Sequence, residues 1–222
     1  MGQDRSFKQR LHAELARIGQ ALASERRLDL IDLLAQSPRN VETLASMTGM
    51  SVASASQHLQ ALRSARLVES ERDGTKIIYR LADDSVLRLW IALTHTARQR
   101  LPEVERIDRE LAAEGTRKEH VERDDIRALL KRGDALLIDV RPAAEYAHGH
   151  LPGAISIPYE ELPQKLDQLP RDKRIVTYCR GTYCMSADEA ITLLKTRGYD
   201  AVRLEGGWPE WRSEGRPAET GA

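Results

Sequence analysis

The amino-acid sequence predicts two domains of different fold class, joined by a helical linker. Over residues 1–101, apolar residues recur at helical spacing and a hairpin signal lies between two strand-like runs, which predicts a mainly α domain with one β-hairpin. Over residues 121–218, apolar runs alternate with helical patterns, which predicts an α/β domain with a mostly parallel sheet. Residues 102–120 are rich in Glu and Arg, which indicates a solvated helical linker.

The composition is that of an ordinary globular protein. Of the 222 residues 41% are hydrophobic, and no apolar run approaches the ~18 residues of a membrane span. The N-terminus lacks the apolar region of a signal peptide, so we expect a cytoplasmic protein with no membrane partner. The formal net charge is zero, but residues 1–100 hold 15 Lys/Arg against 11 Asp/Glu. This excess permits a polyanionic partner, or equally a merely solvated surface.

Four helices are expected at the start of the chain, over about 7–22, 25–36, 41–47 and 52–65. The first carries an apolar stripe at helical spacing, Phe7, Leu11, Leu15, Ile18 and Leu22. Ser24, Asn40 and Ser51 are candidate N-caps, and Gly49 is placed to end the third helix. Two short helices joined by a glycine turn predict a helix-turn-helix.

The fourth helix has one apolar face and one small, polar face. The apolar residues are Val52, Ala55, Leu59 and Leu62, and the outward ones are Ser54, Gln57, Ala61 and Ser64. Serine and glutamine can bond base edges, so this face suits the major groove of DNA; the alternative is a plain solvated helix. The hairpin signal Asp73-Gly74 follows, with Arg72 and Lys76 beside its tip, where they can reach phosphates.

This half of the chain resembles the ArsR family of bacterial winged-helix repressors. The resemblance covers about residues 10–100 and rests on Ser56-Gln57-His58-Leu59 followed by Leu62-Arg63-Ser64-Ala65-Arg66-Leu67-Val68. It implies a winged helix-turn-helix transcriptional regulator that binds double-stranded operator DNA as a homodimer. The candidate DNA contacts are Ser54, Ser56, Gln57, His58, Arg72 and Lys76. His58 is alternatively a packed histidine.

A fifth helix over 84–99 is expected to follow the hairpin. In the ArsR family the first and last helices form the dimer, so Trp90 and Leu93 lie either in that interface or in the monomer core. Many members sense metals through cysteine or His/Asp clusters on these helices. This chain has no cysteine before Cys179 and no recognisable ligand set there, so we expect neither a metal nor a cofactor. The linker helix that follows is expected to end at Gly115-Thr116.

The second domain is expected to alternate strands with helices. The predicted helices span 126–131, 143–147, 160–169 and 186–197, and the predicted strands 135–140, 154–158, 174–178 and 201–204. Ligands of parallel sheets bind beyond the carboxyl ends of the strands, and Cys179 follows the strand 174–178 directly. The loop from Cys179 to Cys184 then leads into a helix N-terminus. Loop N–H groups and the helix dipole favour an anion there, which should lower the pKa of Cys179 and make it a nucleophile.

Three motifs in order resemble the rhodanese domain. They are Leu137-Ile138-Asp139-Val140-Arg141, Gly149-His150-Leu151-Pro152-Gly153-Ala154 and Gly206-Gly207-Trp208, placed around Cys179. The resemblance implies that Cys179 carries sulfane sulfur as a persulfide, taken from a sulfane donor and passed to a thiol acceptor. It also implies that Asp139 and Arg141 brace the edge of the site. The loop residues assigned to the site are Cys179, Arg180, Gly181, Thr182, Tyr183 and Cys184, and the amides from Arg180 to Cys184 are expected to cradle the anion.

The loop departs from the family pattern at its end. Many members read C-x-x-G-x-R, whereas here Cys184 closes the loop and the glycine has moved to Gly181. Cys184 is either a thiol that attacks the persulfide on Cys179 or a buried small hydrophobe. Arg180 either draws in an anionic donor such as thiosulfate or is simply solvated. With only two cysteines, five positions apart, we expect reactivity rather than a structural disulfide.

Two functions follow from these resemblances. The first is a regulator whose rhodanese domain senses sulfur or redox state through Cys179. The second is a sulfurtransferase enzyme with an attached DNA-binding domain, and accessory sulfurtransferase activity is compatible with both. A third, an arsenic or metal repressor, is disfavoured by the absence of cysteine from residues 1–178.

Overall fold

The computed structural model describes residues 2–113 and 119–221. The described chain forms two compact units, residues 1–90 and 91–222, which divide inside a helix over Asp84–Arg100. The predicted end of the linker helix at Gly115-Thr116 lies outside the described residues. The two-domain fold class predicted from the sequence is confirmed.

The first unit is a helical domain with a small antiparallel sheet. Its helices are α1 (Gly2–Leu22), α2 (Glu25–Gln36), α3 (Val41–Thr48), α4 (Val52–Ser64) and the start of α5 (Asp84–Arg100). The Asn40 side chain accepts the N–H of Thr43 at 2.7 Å and the Ser51 side chain accepts that of Ser54 at 3.2 Å, so both N-caps are confirmed. Gly49 ends α3 at φ 65°, as predicted. Ser24 makes no side-chain capping bond.

The hairpin packs beside these helices as a wing. Its strands are β2 (Val68–Asp73) and β3 (Lys76–Leu81), and β1 (Arg39–Asn40) adds to the free side of β3. Asp73 pairs with Lys76, so the two turn residues are Gly74-Thr75 rather than Asp73-Gly74. The sequence therefore placed the turn one residue too early, because Asp73 is still paired within the strand ladder. The fully buried core residues include Leu30, Ile31, Leu44, Leu59, Leu62 and Leu87.

The second unit is built on a five-stranded, wholly parallel sheet in the order β4-β8-β7-β5-β6. The strands are β4 (His120–Val121), β5 (Ala135–Asp139), β6 (Ala154–Ser156), β7 (Arg174–Tyr178) and β8 (Ala201–Leu204). The helices are α6 (Pro102–Ala113), α7 (Ile126–Arg132), α8 (Ala143–His148), α9 (Leu162–Lys165), α10 (Met185–Thr196) and α11 (Trp208–Ser213). Four of the five residues of β7 are buried, because helices cover both faces of this central strand.

Two parts of the second unit differ from the sequence prediction. The helix expected over 160–169 is broken into 3-10 turns at Tyr159–Glu161 and Leu166–Gln168 around the short α9. Pro163 has no N–H for the preceding turn, so a continuous α-helix cannot form there. Strand β4 was not predicted because His120–Val121 is too short to show a strand pattern. Helix α11 was not predicted because its six residues, with two tryptophans and a proline, show no helical periodicity.

A buried ion pair joins the end of β5 to the chain that follows. The Asp139 and Arg141 side chains are both fully buried, and the guanidinium donates to the carboxylate at 2.6–3.1 Å and to the carbonyl of Gly149 at 2.8 Å. Burial, the largest single influence, lowers the pKa of Arg141, but the charge and hydrogen bonds of Asp139 together with the nearby Tyr178 and Glu145 outweigh it, so this pKa is raised. The guanidinium also faces the rings of Tyr178 and Trp208, 5.6 and 5.2 Å from their centres. The pair therefore ties together three segments around the end of β7.

We expect Asp139→Ala to lower the free energy of unfolding of the second unit by about 3–5 kcal/mol, because it leaves the Arg141 cation buried without its partner. Asp200→Ala is the matched control. Asp200 pairs with Arg174 on the surface, where both side chains are about half exposed, and its loss should cost at most about 1 kcal/mol. Native-state hydrogen exchange of the β5 and β7 amides measures both. Equal costs for the two variants would contradict the bracing role.

Candidate functional site

The six-residue loop between β7 and α10 carries both cysteines of the chain. Cys179 follows β7, is 2% exposed, and forms a disulfide with Cys184, the residue before α10. Their Cα atoms are 6.2 Å apart. The sequence interpretation favoured reactivity over a disulfide, and the structure holds the pair in its oxidised state. The lowered pKa expected for Cys179 stays a prediction for the reduced state.

A buried arginine that the sequence analysis missed lies beneath this loop. Arg203 of β8 is 5% exposed and pairs with Asp188, in the first turn of α10, at 2.8 Å. Its guanidinium also donates to three loop carbonyls, those of Gly181 at 2.6 Å, Thr182 at 3.2 Å and Cys184 at 3.3 Å. One cation thus gathers the carbonyls of the loop on its inner side. The available signal was a charged residue inside the otherwise apolar strand 201–204.

Arg180 is held by a carboxylate. Its guanidinium donates through Nε to both carboxylate oxygens of Glu145, each at 3.0 Å, and the Glu145 side chain is fully buried in α8. The Arg180 side chain is 26% exposed. Its charge is therefore offset by Glu145, which weakens the expectation that Arg180 draws in an anionic donor. The solvated alternative is also wrong, because this bidentate pair fixes the side chain.

Glu210 of α11 reaches the outer side of the same loop. Its Oε1 accepts from the backbone N–H and the hydroxyl of Thr182, at 3.4 and 3.3 Å. Its carboxylate oxygens lie 3.2 and 3.3 Å from the place where a Cβ on Gly181 would stand. The sequence analysis missed Glu210 because α11 was not predicted. Among residues 2–113 and 119–221, the buried Oε2 atom of this half-buried residue has no hydrogen-bond partner.

The loop amides are only partly available to a bound anion. The N–H of Thr182 is used by Glu210, and the N–H of Cys184 donates to the carbonyl of Gly181 at 3.1 Å. The expectation that all amides over 180–184 cradle an anion is therefore wrong for this oxidised loop. Tyr183 is 38% exposed at the surface of the loop.

The chain between β8 and α11 packs directly against the loop through a glycine. A Cβ on Gly207 would lie 2.4 Å from the carbonyl oxygen of Cys179 and 2.5 Å from the nitrogen of Gly181, so no other residue fits without moving the backbone. The next N–H, of Trp208, donates to that same Cys179 carbonyl at 3.1 Å. The Gly206-Gly207-Trp208 motif thus closes the loop from the side where α11 begins.

The candidate DNA contacts lie on α4 and the wing of the first unit. Gln57 is exposed at the centre of the outer face of α4, whereas Ser54, Ser56 and His58 are half-buried on its flanks. Val52 was expected in the core but is 47% exposed, because it is the first residue of α4 and lies at the end of the apolar face. Arg72 and Lys76 are both exposed beside the wing turn, and Nε of Arg72 donates to the carbonyl of Gly74 at 3.0 Å.

The described ranges contain neither a candidate metal site nor a candidate membrane span. Within residues 2–113 and 119–221, no three His, Cys, Asp or Glu side chains are grouped as metal ligands would be. No helix in those ranges is long and apolar enough to cross a membrane.

Both halves of the chain match known sequences. Residues 24–70 match the family model described as bacterial regulatory protein, arsR family, and residues 122–214 match that of the rhodanese-like domain. The HTH-type transcriptional regulator Rv0324 of Mycobacterium tuberculosis is 42% identical over 209 residues, 94% of this chain and 92% of that protein. A sulfurtransferase of Allochromatium vinosum is 35% identical over 85 residues, 38% of this chain and 78% of that protein.

A solved structure is similar to the first half. It is the homodimeric winged helix-turn-helix DNA-binding domain of a possible ArsR-family regulator from Mycobacterium bovis. That domain is 47% identical, the match covers 42% of this chain and 87% of that one, and the TM-score is 0.41.

We expect Arg203→Met to disturb the loop more than its loss of charge alone would. The change removes the arginine partner of the buried Asp188 carboxylate and of three carbonyls, so the free energy of unfolding should fall by about 3–5 kcal/mol. In the reduced protein, the loop amides lose their orientation and the nearby positive charge is gone, so the pKa of Cys179 should rise. The pH midpoint of Cys179 alkylation measures this. Arg174→Met, which breaks an exposed pair, is the control, and an equal midpoint in the two variants would contradict the role given to Arg203.

Proposed function

The chain belongs to the arsR family of transcriptional regulators and carries a C-terminal rhodanese-like domain, and we propose that the sulfur state of Cys179 sets its affinity for DNA. One observation carries this proposal. The cysteine that aligns with the sulfur carrier of the rhodanese domain stands within bonding distance of a second thiol, and no other cysteine exists in the chain. Any thiol-based signal must therefore arise in the loop between β7 and α10.

The proposed chemistry begins with loading of sulfur. The Cys179 thiolate attacks the outer sulfur of a sulfane donor, the donor's S–S bond breaks, and the donor leaves with the electron pair of that bond. Cys179 is left as a persulfide. Loop amides and the N-terminus of the 12-residue α10 stabilise its negative charge.

Cys184 provides the second step. Its thiolate attacks the Sγ of Cys179, the bond from Sγ to the outer sulfur breaks, and hydrosulfide leaves. The product is the disulfide between Cys179 and Cys184 that the structure contains. Two equivalents of a low-molecular-weight thiol return the pair to its reduced state and leave as their own disulfide. The loop therefore has three chemically distinct states, which are thiol, persulfide and disulfide.

These states can reach the DNA-binding half through a continuous helix. Helix α5 crosses the division between the two compact units at residues 90 and 91, and α6 follows it after Leu101. Arg98 of α5 pairs with Asp108 of α6 at 2.9 Å, which joins the two helices across their turn. We propose that this helical pair, together with the rest of the linker over 102–120, transmits the loop state to the first domain.

DNA binding by a homodimer is the second part of the proposal. Helix α1 exposes an apolar stripe, in which Phe7 is 59%, Leu11 46% and Leu15 58% exposed. Leu93 of α5 is 38% exposed, so it does not lie in a monomer core. Such surfaces favour pairing of two copies, which would place two α4 helices on successive half-sites. Ser54, Ser56, Gln57 and His58 are the proposed base or groove contacts, and Arg72 and Lys76 the proposed phosphate contacts.

A sulfurtransferase with an attached DNA-binding domain is the alternative function. The similarity to the sulfurtransferase of Allochromatium vinosum favours it, because the match lies within the domain that holds Cys179. In that case Cys179 passes sulfur to an acceptor thiol, and DNA affinity does not depend on its state.

A DNA duplex that binds the reduced protein can be selected from random sequences. We expect the persulfidated or disulfide form to bind this duplex with an affinity that differs from that of the reduced form by about 5- to 150-fold, the range of typical coupling energies. Titration at fixed salt with the reduced, persulfidated and oxidised full-length protein measures this. Cys179→Ser should not respond to a sulfane donor. Cys184→Ser separates the steps, because it can carry the persulfide but cannot form the disulfide. Affinities within twofold of one another in all states would leave the sulfurtransferase function standing.

We expect the double variant Arg72→Ala/Lys76→Ala to flatten the slope of log K against log salt by about 0.9 for each phosphate that the protein no longer neutralises. The control is Lys131→Ala/Arg132→Ala, which removes the same charge from the exposed end of α7. The salt dependence of full-length protein on the selected duplex distinguishes the two. An unchanged slope in the wing variant would remove both residues from the interface.

A further inference from the structure

The charges around the loop do not balance. Arg180 is paired with Glu145, and Arg203 is paired with Asp188, so neither cation offers its full charge to a bound anion. Glu210 stands against the same loop, and within the described residues no cation lies at ion-pair distance from it. The guanidinium of Arg123 shares the space beside Gly206 with the Cβ and Cγ of Glu210, but it pairs with Glu205 and Glu214. Glu210 is therefore a carboxylate against the loop that enters none of the ion pairs among the described residues.

The position of this charge is well defined. Oε1 of Glu210 is held by the N–H and hydroxyl of Thr182, and the carboxylate stands against the backbone of Gly181, two residues after Cys179. The Cβ position of Gly181 lies 3.2–3.3 Å from both carboxylate oxygens, so glycine leaves them room to approach the loop. Glu210 thereby takes a loop N–H that would otherwise be available to an anionic donor. Its own charge repels such a donor across a partly buried site, where charges are screened less than in water.

We propose that Glu210 is a specificity-determining residue that selects hydropersulfides over thiosulfate as the sulfur donor of Cys179. This inference deepens the proposed function, since it rests on Cys179 as the sulfur carrier. A hydropersulfide, R–S–SH, reacts as a neutral species: the Cys179 thiolate bonds to the outer sulfur, the S–S bond breaks, and R–S⁻ leaves. The outer sulfur keeps its hydrogen, so Cys179 becomes Cys179–S–SH.

Transfer of sulfur from thiosulfate brings more negative charge to the site. The thiolate must attack the outer sulfur of a dianion, and sulfite leaves as a dianion while Cys179 becomes the persulfide anion. Three negative charges are brought together in the transition state, next to the carboxylate of Glu210. With the hydropersulfide only one negative charge is present throughout. The same carboxylate therefore raises the barrier for thiosulfate far more than that for the hydropersulfide.

The test measures sulfur loading of Cys179 by the mass gained, separately from DNA binding. All proteins are full-length, reduced and in a Cys184→Ser background, so that the persulfide persists. The donors are thiosulfate and cysteine hydropersulfide. We expect Glu210→Gln, which keeps an oxygen to accept the Thr182 N–H but removes the charge, to speed loading from thiosulfate about tenfold. Loading from the hydropersulfide should stay within about twofold.

Glu189→Gln is the control, because it removes the same charge from the exposed face of α10 and should change neither rate. A second measurement needs no variant at Glu210. In the background protein, raising ionic strength screens the repulsion, so loading from thiosulfate should speed up. A thiosulfate rate unchanged by Glu210→Gln, or slowed by salt in the background protein, would overturn the inference alone. Failure of both donors to load any of the proteins would overturn the proposed function with it.

Discussion

The loop that carries both cysteines depends on a single buried cation. Arg203 lies under the loop, neutralised by Asp188, and binds the carbonyls of three of its six residues. A loop of this length has too few internal bonds to hold one shape, since its one internal backbone bond is from Cys184 to Gly181 among those described. The shape is therefore set from outside, by a side chain of the neighbouring strand β8. The cost of burying the arginine is offset because its guanidinium meets the Asp188 carboxylate and three carbonyls.

The same principle of paired burial runs through the rest of the second unit. Arg141 is buried with Asp139, and Arg180 is held by the buried Glu145. Each pair fixes a segment near the carboxyl end of β7 while adding almost no net charge. Glu210 is the exception, because its carboxylate meets the loop through Thr182 and forms no ion pair with any described residue. A group that breaks the pattern of its surroundings in this way is a natural place to look for selectivity.

The two units differ in their chemistry because both cysteines lie in the second unit. The first unit contains no thiol, and its polar α4 face and exposed wing cations suit a polyanionic surface. The second unit contains both thiols and the charge network around them. If sulfur chemistry is coupled to DNA binding as proposed, helix α5, which both units share, is a route for the coupling, and linkage makes it reciprocal. DNA occupancy would then bias the chemistry of the loop as much as the loop biases the affinity for DNA.

Most of the fold could be predicted from local patterns. The caps at Asn40 and Ser51, the hairpin, the strand 174–178 and the placement of Cys179 at its end all depend on residues close together in the chain, so the sequence by itself determined them. The short segments were less predictable, since proline at 163 breaks a helix whose apolar spacing looks regular and α11 has no periodic face of its own.

The charge environment of the loop was decided only by the tertiary structure. Arg180 meets Glu145 across 35 residues, and Thr182 meets Glu210 across 28. Arg203 reaches back 22 residues to Gly181. These partners come together only because the parallel sheet brings the ends of its strands, and the helices between them, to one edge. A sequence pattern identifies Cys179, the proposed nucleophile, because strand, loop and helix are contiguous, but the charged groups around it are neighbours in space alone.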